Sequence, residues 1–144
     1  INKDDTGKKI DKRARKFLNK SNLDYAHGTG HGVGFFLNVH EGPQSITKTN
    51  KVKIEPGMVV SNEPGYYKKD HFGIRIENLV YVDKKNGKIF FKNLTMAPIE
   101  KDLINFNLLT ISEKNYLFKY HMDVYFKISK YLNQNEKKWL ADLI

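Results

Sequence analysis

Glycine recurs at every second position from Gly28 to Gly34, interleaved with His31 and preceded by His27. Four glycines in seven residues make a regular helix improbable, because each costs roughly 1 kcal/mol relative to alanine in a helix interior. His27 and His31 are therefore not a helical ligand pair, despite standing four residues apart. Glycine removes Cβ interference and adopts dihedrals other residues avoid, so the run is expected to pass close to whatever lies beside it. A flexible linker is the competing reading. It is weakened by the apolar segment that follows at once, Phe35 to Val39, which reads as a buried strand ended by Glu41-Gly42-Pro43.

Around this segment the pattern is mixed. Asp5 or Thr6 can cap a first helix running to about Lys20, with Ile10, Ala14, Phe17 and Leu18 as its apolar stripe and the basic residues on the other side. Polar residues through Lys53 read as a loop. The stretch Gly57 to Glu63 is apolar and β-branched until Ser61, then meets a Pro64-Gly65 turn. Gly73 to Val82 is the clearest strand, and Asn86-Gly87 signals a hairpin into Lys88 to Met96, which makes that pair antiparallel. After Pro98, Ser112 can cap a helix bearing Leu117, His121, Val124, Ile128 and Leu132 on one face. Asn135 can cap a last short helix with Trp139, Leu140 and Leu143. Helix, strands, then two helices make an α+β arrangement.

Composition narrows the chemistry. With 144 residues and 40% hydrophobic content the chain can bury one core. Cysteine is absent, so any metal must be held by histidine and carboxylates. No segment approaches the roughly 20 apolar residues of a membrane span, and no membrane partner is expected. The net charge of +9 draws most densely on Lys8, Lys9, Lys12, Arg13, Arg15, Lys16 and Lys20. No recognition-helix, RNA-platform or finger signature accompanies them, so a solvated face is expected and no nucleic-acid partner. The chain opens with Ile1 rather than Met, which reads as a cut or cleavage point.

Ionisable residues inside apolar strands carry the most information, because burial without partners costs several kcal/mol. His31, Glu63, Arg75 and Glu77 stand out. Strand alternation puts Arg75 and Glu77 on one face, with Ile74, Ile76 and Val80 on the other. Singly, each has a plain reading: an exposed ion pair, a turn carboxylate, a loop histidine.

Together they have another. The segment HGTGHGVGFFLNVHEGP, His27 to Pro43, resembles the proline-peptidase signature of the pita-bread metallopeptidases. GMVVSNEPGYY, Gly57 to Tyr67, resembles that family's first glutamate motif, and GIRIENLVYV, Gly73 to Val82, its second. LTMAPIEKDLI and the closing helices resemble the C-terminal extension of the long, cytosolic-type Xaa-Pro aminopeptidases (aminopeptidase P). The resemblance implies the C-terminal half of a pita-bread catalytic domain over residues 1–98, and a helical extension over 99–144. It also implies peptide substrates with proline in second position, a homodimer in the full enzyme and a cytoplasmic location.

By position, His31 and Glu63 match ligands of one metal, and Glu77 matches the carboxylate that bridges two. Two divalent ions are thus implied. The carboxylate-rich set leans to Mn²⁺, with Zn²⁺ or Co²⁺ as alternatives. Such a pair polarises a scissile carbonyl and supplies a hydroxide nucleophile at neutral pH. Glu63 is also placed to take that nucleophile's proton. His40 matches a histidine that shuttles protons and stabilises the oxyanion, and His27 one that lines the pocket for the proline ring. Arg75, and with it Tyr67, matches positions that hold a ligating carboxylate in place. His71 and His121 match no role and read as a loop residue and a helix-face residue.

The family's site also uses two aspartates on strands well upstream. Asp4, Asp5, Asp11 and Asp24 lie on or beside the first helix, in the wrong context for that task. The chain so offers three of five expected ligands, and these 144 residues alone are expected to be inactive, to expose apolar surface and to need the remainder of their own chain. Competing readings are a prolidase acting on dipeptides, a metal-free pita-bread binding module, and a basic nucleic-acid-binding domain. The tail favours the aminopeptidase over the first, and intact His31, Glu63 and Glu77 count against the second.

Overall fold

Thr6 rather than Asp5 caps the first helix. Its hydroxyl accepts from the Lys9 N–H at 3.4 Å, and α1 runs Gly7–Asn19. Asp5 instead takes both arms of Arg13, at 2.9 and 2.5 Å, and the Asn2 N–H at 2.7 Å. The buried face of α1 departs from the expected stripe. Ile10 is buried, but Phe17 is 71% exposed while Arg15 is only 3% exposed. Asp11 and Arg15 hold the inner positions one turn apart and satisfy each other there, a pairing that residue-type periodicity does not register.

The computed structural model describes residues 1–36 and 38–144. They divide into two units, Ile1–Thr95 and Met96–Ile144. In the first, α1 is followed by β1 (Gly30–His31), β2 (Ser45–Ile46), β3 (Val59–Asn62), β4 (Gly65–Lys68), β5 (Phe72–Arg75), β6 (Asn78–Lys85) and β7 (Lys88–Asn93). Strands β3, β6 and β7 form an antiparallel sheet in that spatial order. Val60, Val80 and Val82 pack with Ile10, Ile46 and Ile54 into one core. Each such aliphatic chain, fully buried, contributes about 1.5–3 kcal/mol. Asn86 and Gly87 sit at φ 50° and 76° between paired Lys85 and Lys88, so the expected hairpin is present with a type I′ turn.

Two strand expectations need correction. Phe35 and Phe36 are not in a strand and are 89% and 85% exposed; Leu37 lies outside the described residues. Here the chain closes on itself. Gly34 N–H donates to the Asn38 carbonyl at 2.8 Å and Glu41 N–H to the Gly32 carbonyl at 3.0 Å, with Phe36 at φ 58°. Local closure takes the backbone groups a ladder would need.

Nor is Gly73 to Val82 one strand. It is β5 and β6, parted at Ile76-Glu77, while β3 and β4 are parted at Glu63-Pro64. Pairing ends at Asn62↔Asn78 on one side of the gap and resumes at Gly65↔Arg75 on the other, in unbroken register. Glu63 therefore faces Glu77, and Pro64, which has no N–H to donate, faces Ile76. Beyond the opening, β5 leaves the core: Ile74 and Ile76 are each 48% exposed while Val80 is 2% exposed. The expected common face of Ile74, Ile76 and Val80 does not survive it.

In the second unit, α2 (Ile111–Ile128) is capped by Thr110, two residues before the expected Ser112, in a capping box with Glu113. Asn133, not Asn135, caps α3 (Gln134–Leu143), in a box with Glu136. The reciprocal hydrogen bond to a glutamate three residues on selects these caps. Tyr120, Val124 and Leu140 form the core here, with Ile128 and Leu132 packed against it and Trp139 exposed. His121 is buried too, and its Nε2 accepts the Ile99 N–H at 3.1 Å.

Candidate metal centre

His31 closes β1, whose neighbour Gly30 lies against β3. A Cβ on Gly30 would come within 1.9 Å of the Ser61 carbonyl oxygen, and one on Gly32 within 2.0 Å of the Glu41 carbonyl oxygen. The alternating glycines therefore serve close backbone approach. The expectation of unusual dihedrals is not met, since positive φ among the described glycines occurs at Gly57 and Gly87.

That approach aims the histidine. Its backbone N–H donates to Ser61 Oγ at 2.8 Å, and its ring Nδ1 faces the Gly32 carbonyl at 3.0 Å. A carbonyl only accepts, so Nδ1 carries a proton, and in the neutral ring Nε2 is the nitrogen left to bind a metal. Nε2 lies 3.5 Å from Glu63 Oε1. Glu63 is held at three points. Its N–H donates to the Thr29 carbonyl at 2.8 Å, Ser61 Oγ donates to Oε1 at 2.8 Å, and Arg75 Nη1 is 3.4 Å from Oε2. Ser61 is fully buried. It was not among the expected site residues, although a serine closing the apolar run Met58-Val59-Val60-Ser61 was the available signal.

Glu77 completes the group. One donor atom each from His31, Glu63 and Glu77 lie within 4.8 Å of one another. Like charges facing across a ladder destabilise it, and Arg75 touches only one of these carboxylates among the ion pairs of the described residues. One imidazole lone pair and two facing carboxylates fit a divalent cation, which supplies the missing positive charge.

The other expected residues fall around this group. The His40 ring lies 4.0 Å from that of His31, centroid to centroid, tilted by 41°. Arg75 Nε donates to Tyr67 OH at 2.7 Å, and Tyr67 OH is 2.8 Å from His27 Nε2. His27 Nδ1 faces the Gly28 carbonyl at 2.7 Å. Its proton thus sits on Nδ1, and the phenol donates to Nε2. Arg75, Tyr67 and His27 form one directed chain with Arg75 also on Glu63. Asp4, Asp5, Asp11 and Asp24 each pair with Lys or Arg instead of facing the group. Lys48 and Arg15 hold the Asp24 carboxyl well below the usual range.

A histidine and two carboxylates gathered where an antiparallel ladder opens define a candidate centre for divalent-metal chemistry. The chain belongs to metallopeptidase family M24: the family model matches residues 1–84, and a model of the C-terminal region of that peptidase matches residues 88–143. It is 48% identical over 146 residues to a probable Xaa-Pro aminopeptidase P of Coprinopsis cinerea, covering 94% of this chain and 23% of that one. Its structure is similar to the crystal structure of an X-prolyl aminopeptidase of Caenorhabditis elegans, a cytosolic enzyme with a di-nuclear active site. The TM-score is 0.90 at 37% identity, over 99% of this chain and 25% of the other. A prolidase of Pyrococcus furiosus matches with a TM-score of 0.58 at 32% identity, over 66% of this chain and 27% of the other. The fold is thus that of the C-terminal part of the pita-bread domain, and the chain spans about a quarter of the length of these relatives.

Proposed function

We propose that the chain is the C-terminal part of an Xaa-Pro aminopeptidase, with residues 1–98 contributing to the catalytic domain and 99–144 forming its helical extension. The observation that carries this reading is the convergence of His31, Glu63 and Glu77. The match to the worm enzyme supports an aminopeptidase over a prolidase, because it covers 99% of this chain with a TM-score of 0.90, against 66% and 0.58 for the prolidase.

On this reading His31, Glu63 and Glu77 would hold divalent metal, with Mn²⁺ favoured by the carboxylate-rich donors. Such ions supply Lewis acidity to a scissile carbonyl. The chain's own residues do the rest. Glu63, fixed by Ser61 and Arg75, accepts a proton from the attacking water. His40, beside His31, stabilises the charge that develops on the carbonyl oxygen and returns a proton to the leaving nitrogen. An Xaa-Pro bond is a tertiary amide, so that nitrogen must be protonated to leave as a secondary amine. His27, held by Tyr67, borders the place of the proline ring. The full enzyme is a cytoplasmic homodimer.

Hydrolysis by the complete polypeptide in Mn²⁺ tests the reading. Release of the first residue from Xaa-Pro-Xaa tripeptides is expected. Cleavage confined to Xaa-Pro dipeptides would make it a prolidase, and a polypeptide that neither binds Mn²⁺ nor cleaves either substrate would be the metal-free binding module.

A further inference from the structure

Away from the three converging donors, α1 carries a buried ion pair with no part in the chemistry above. Asp11 and Arg15 are 2% and 3% exposed. Arg15 Nε donates to both Asp11 oxygens, at 3.0 and 2.9 Å. Its remaining nitrogens reach outward along the chain. Nη1 donates to Asp24 Oδ1 at 2.6 Å and to the Tyr25 carbonyl at 2.8 Å, and Nη2 donates to the His27 carbonyl at 2.6 Å. The guanidinium carbon lies 3.8 Å above the Tyr25 ring. One side chain therefore fixes the backbone on both sides of Ala26 and delivers His27 to Tyr67.

Asp11 reaches the other way. Its Oδ1 accepts from Thr29 Oγ1 at 2.7 Å, Tyr25 OH also bonds that hydroxyl, and Thr29 is fully buried. The Thr29 carbonyl in turn takes the Glu63 N–H at 2.8 Å. The pair thus touches neither His27's ring nor Glu63's carboxylate, yet it sets the main chain that aims both. A buried ion pair is weak evidence for stability, since desolvation offsets most of its attraction. Arginine's planar fork, by contrast, is well suited to hold several carbonyls at fixed angles.

We propose that Asp11 and Arg15 are positioning residues of the site, acting on His27 through its carbonyl and on Glu63 through Thr29. This deepens the functional reading above and rests on it for what the site does.

The test uses Arg15→Lys, Thr29→Val and Thr29→Ser in the complete polypeptide. Two readouts are followed: deuterium exchange of the segment containing the Glu63 amide, and affinity for Mn²⁺ alone. Arg15→Lys and Thr29→Val are expected to speed exchange at that segment and to weaken Mn²⁺ binding on the order of tenfold, as loss of groups that orient ligands does. Thr29→Ser keeps the hydroxyl and is expected to restore both. A mere packing role would reverse that order, because valine preserves the shape and serine does not. Should Arg15→Lys fail to fold, the threonine pair decides alone. Wild-type exchange at the Glu63 segment in Thr29→Val, or exchange as fast in Thr29→Ser as in Thr29→Val, would overturn the proposal. Failure of the wild type to cleave Xaa-Pro peptides would strike only the functional reading, since exchange needs neither metal nor substrate.

Discussion

Ser61 Oγ sits between His31 and Glu63, accepting the backbone N–H of the first and donating to Oε1 of the second, both at 2.8 Å. One hydroxyl therefore sets the spacing of two of the three converging donors. Ser61→Ala leaves the His31 N–H without this acceptor, and an unmet buried donor costs about 1–3 kcal/mol. The variant is expected to unfold earlier in denaturant and to bind Mn²⁺ about tenfold more weakly. Calorimetric titration beside the unfolding curve checks both. Unchanged affinity would mean that Glu63 is aimed by Arg75 and its backbone alone.

Gly30 has no room for a side chain. An alanine Cβ there would lie 1.9 Å from the Ser61 carbonyl oxygen. Backbone rather than a flexible side chain blocks it, so β1 must move off β3. Gly30→Ala is expected to cost about 3 kcal/mol or more and to lose Mn²⁺ binding with it, measured by denaturant unfolding and metal titration.

His40 lies beside His31 but is absent from the group of converging donors. His40→Ala is expected to lower kcat by about 100-fold or more, the scale of general acid–base catalysis, with metal content retained. Measuring bound metal in the same samples decides the role. Metal lost along with activity would make His40 a ligand.

The second unit carries a pH dependence of its own. Burial holds the His121 pKa below its ordinary 6.5, with Lys101 acting in the same direction, while Nε2 accepts the Ile99 N–H. The unfolded chain then binds the extra proton first as pH falls. Stability attributable to His121 is full above about pH 6.5 and is lost as the pH falls from there through the folded pKa. His121→Gln is expected to flatten that slope, read from unfolding midpoints between pH 7.5 and about 5.

Much of this was legible in the sequence because glycine spacing and hairpin chemistry act locally. The Asn86-Gly87 turn and the exclusion of helix at His27–Gly34 needed only their own residues. The capping glutamates Glu113 and Glu136 were equally local: they stand three residues after Thr110 and Asn133, where the expected caps Ser112 and Asn135 have Asn115 and Lys138. Hydrophobic runs misled in two places. At Phe35-Phe36 the backbone bonds to itself, and at Ile76-Glu77 the ladder opens opposite Pro64. Nor could periodicity foresee Arg15 inside, since its partners Asp24 and His27 are brought to it by the turn after α1. The resemblance named the converging residues, whereas the contacts by which Ser61 and Thr29 hold them are visible only in three dimensions.

The most direct test of the account is the divalent-metal content of the complete polypeptide, wild type against Glu77→Gln, with Xaa-Pro hydrolysis followed in parallel. The amide keeps the shape of Glu77 and removes the charge that faces Glu63. Two bound ions per chain in the wild type, with metal and activity both lost in the variant, are the predicted result. Full metal content and full turnover in Glu77→Gln, or a wild type that binds no divalent ion, would contradict it.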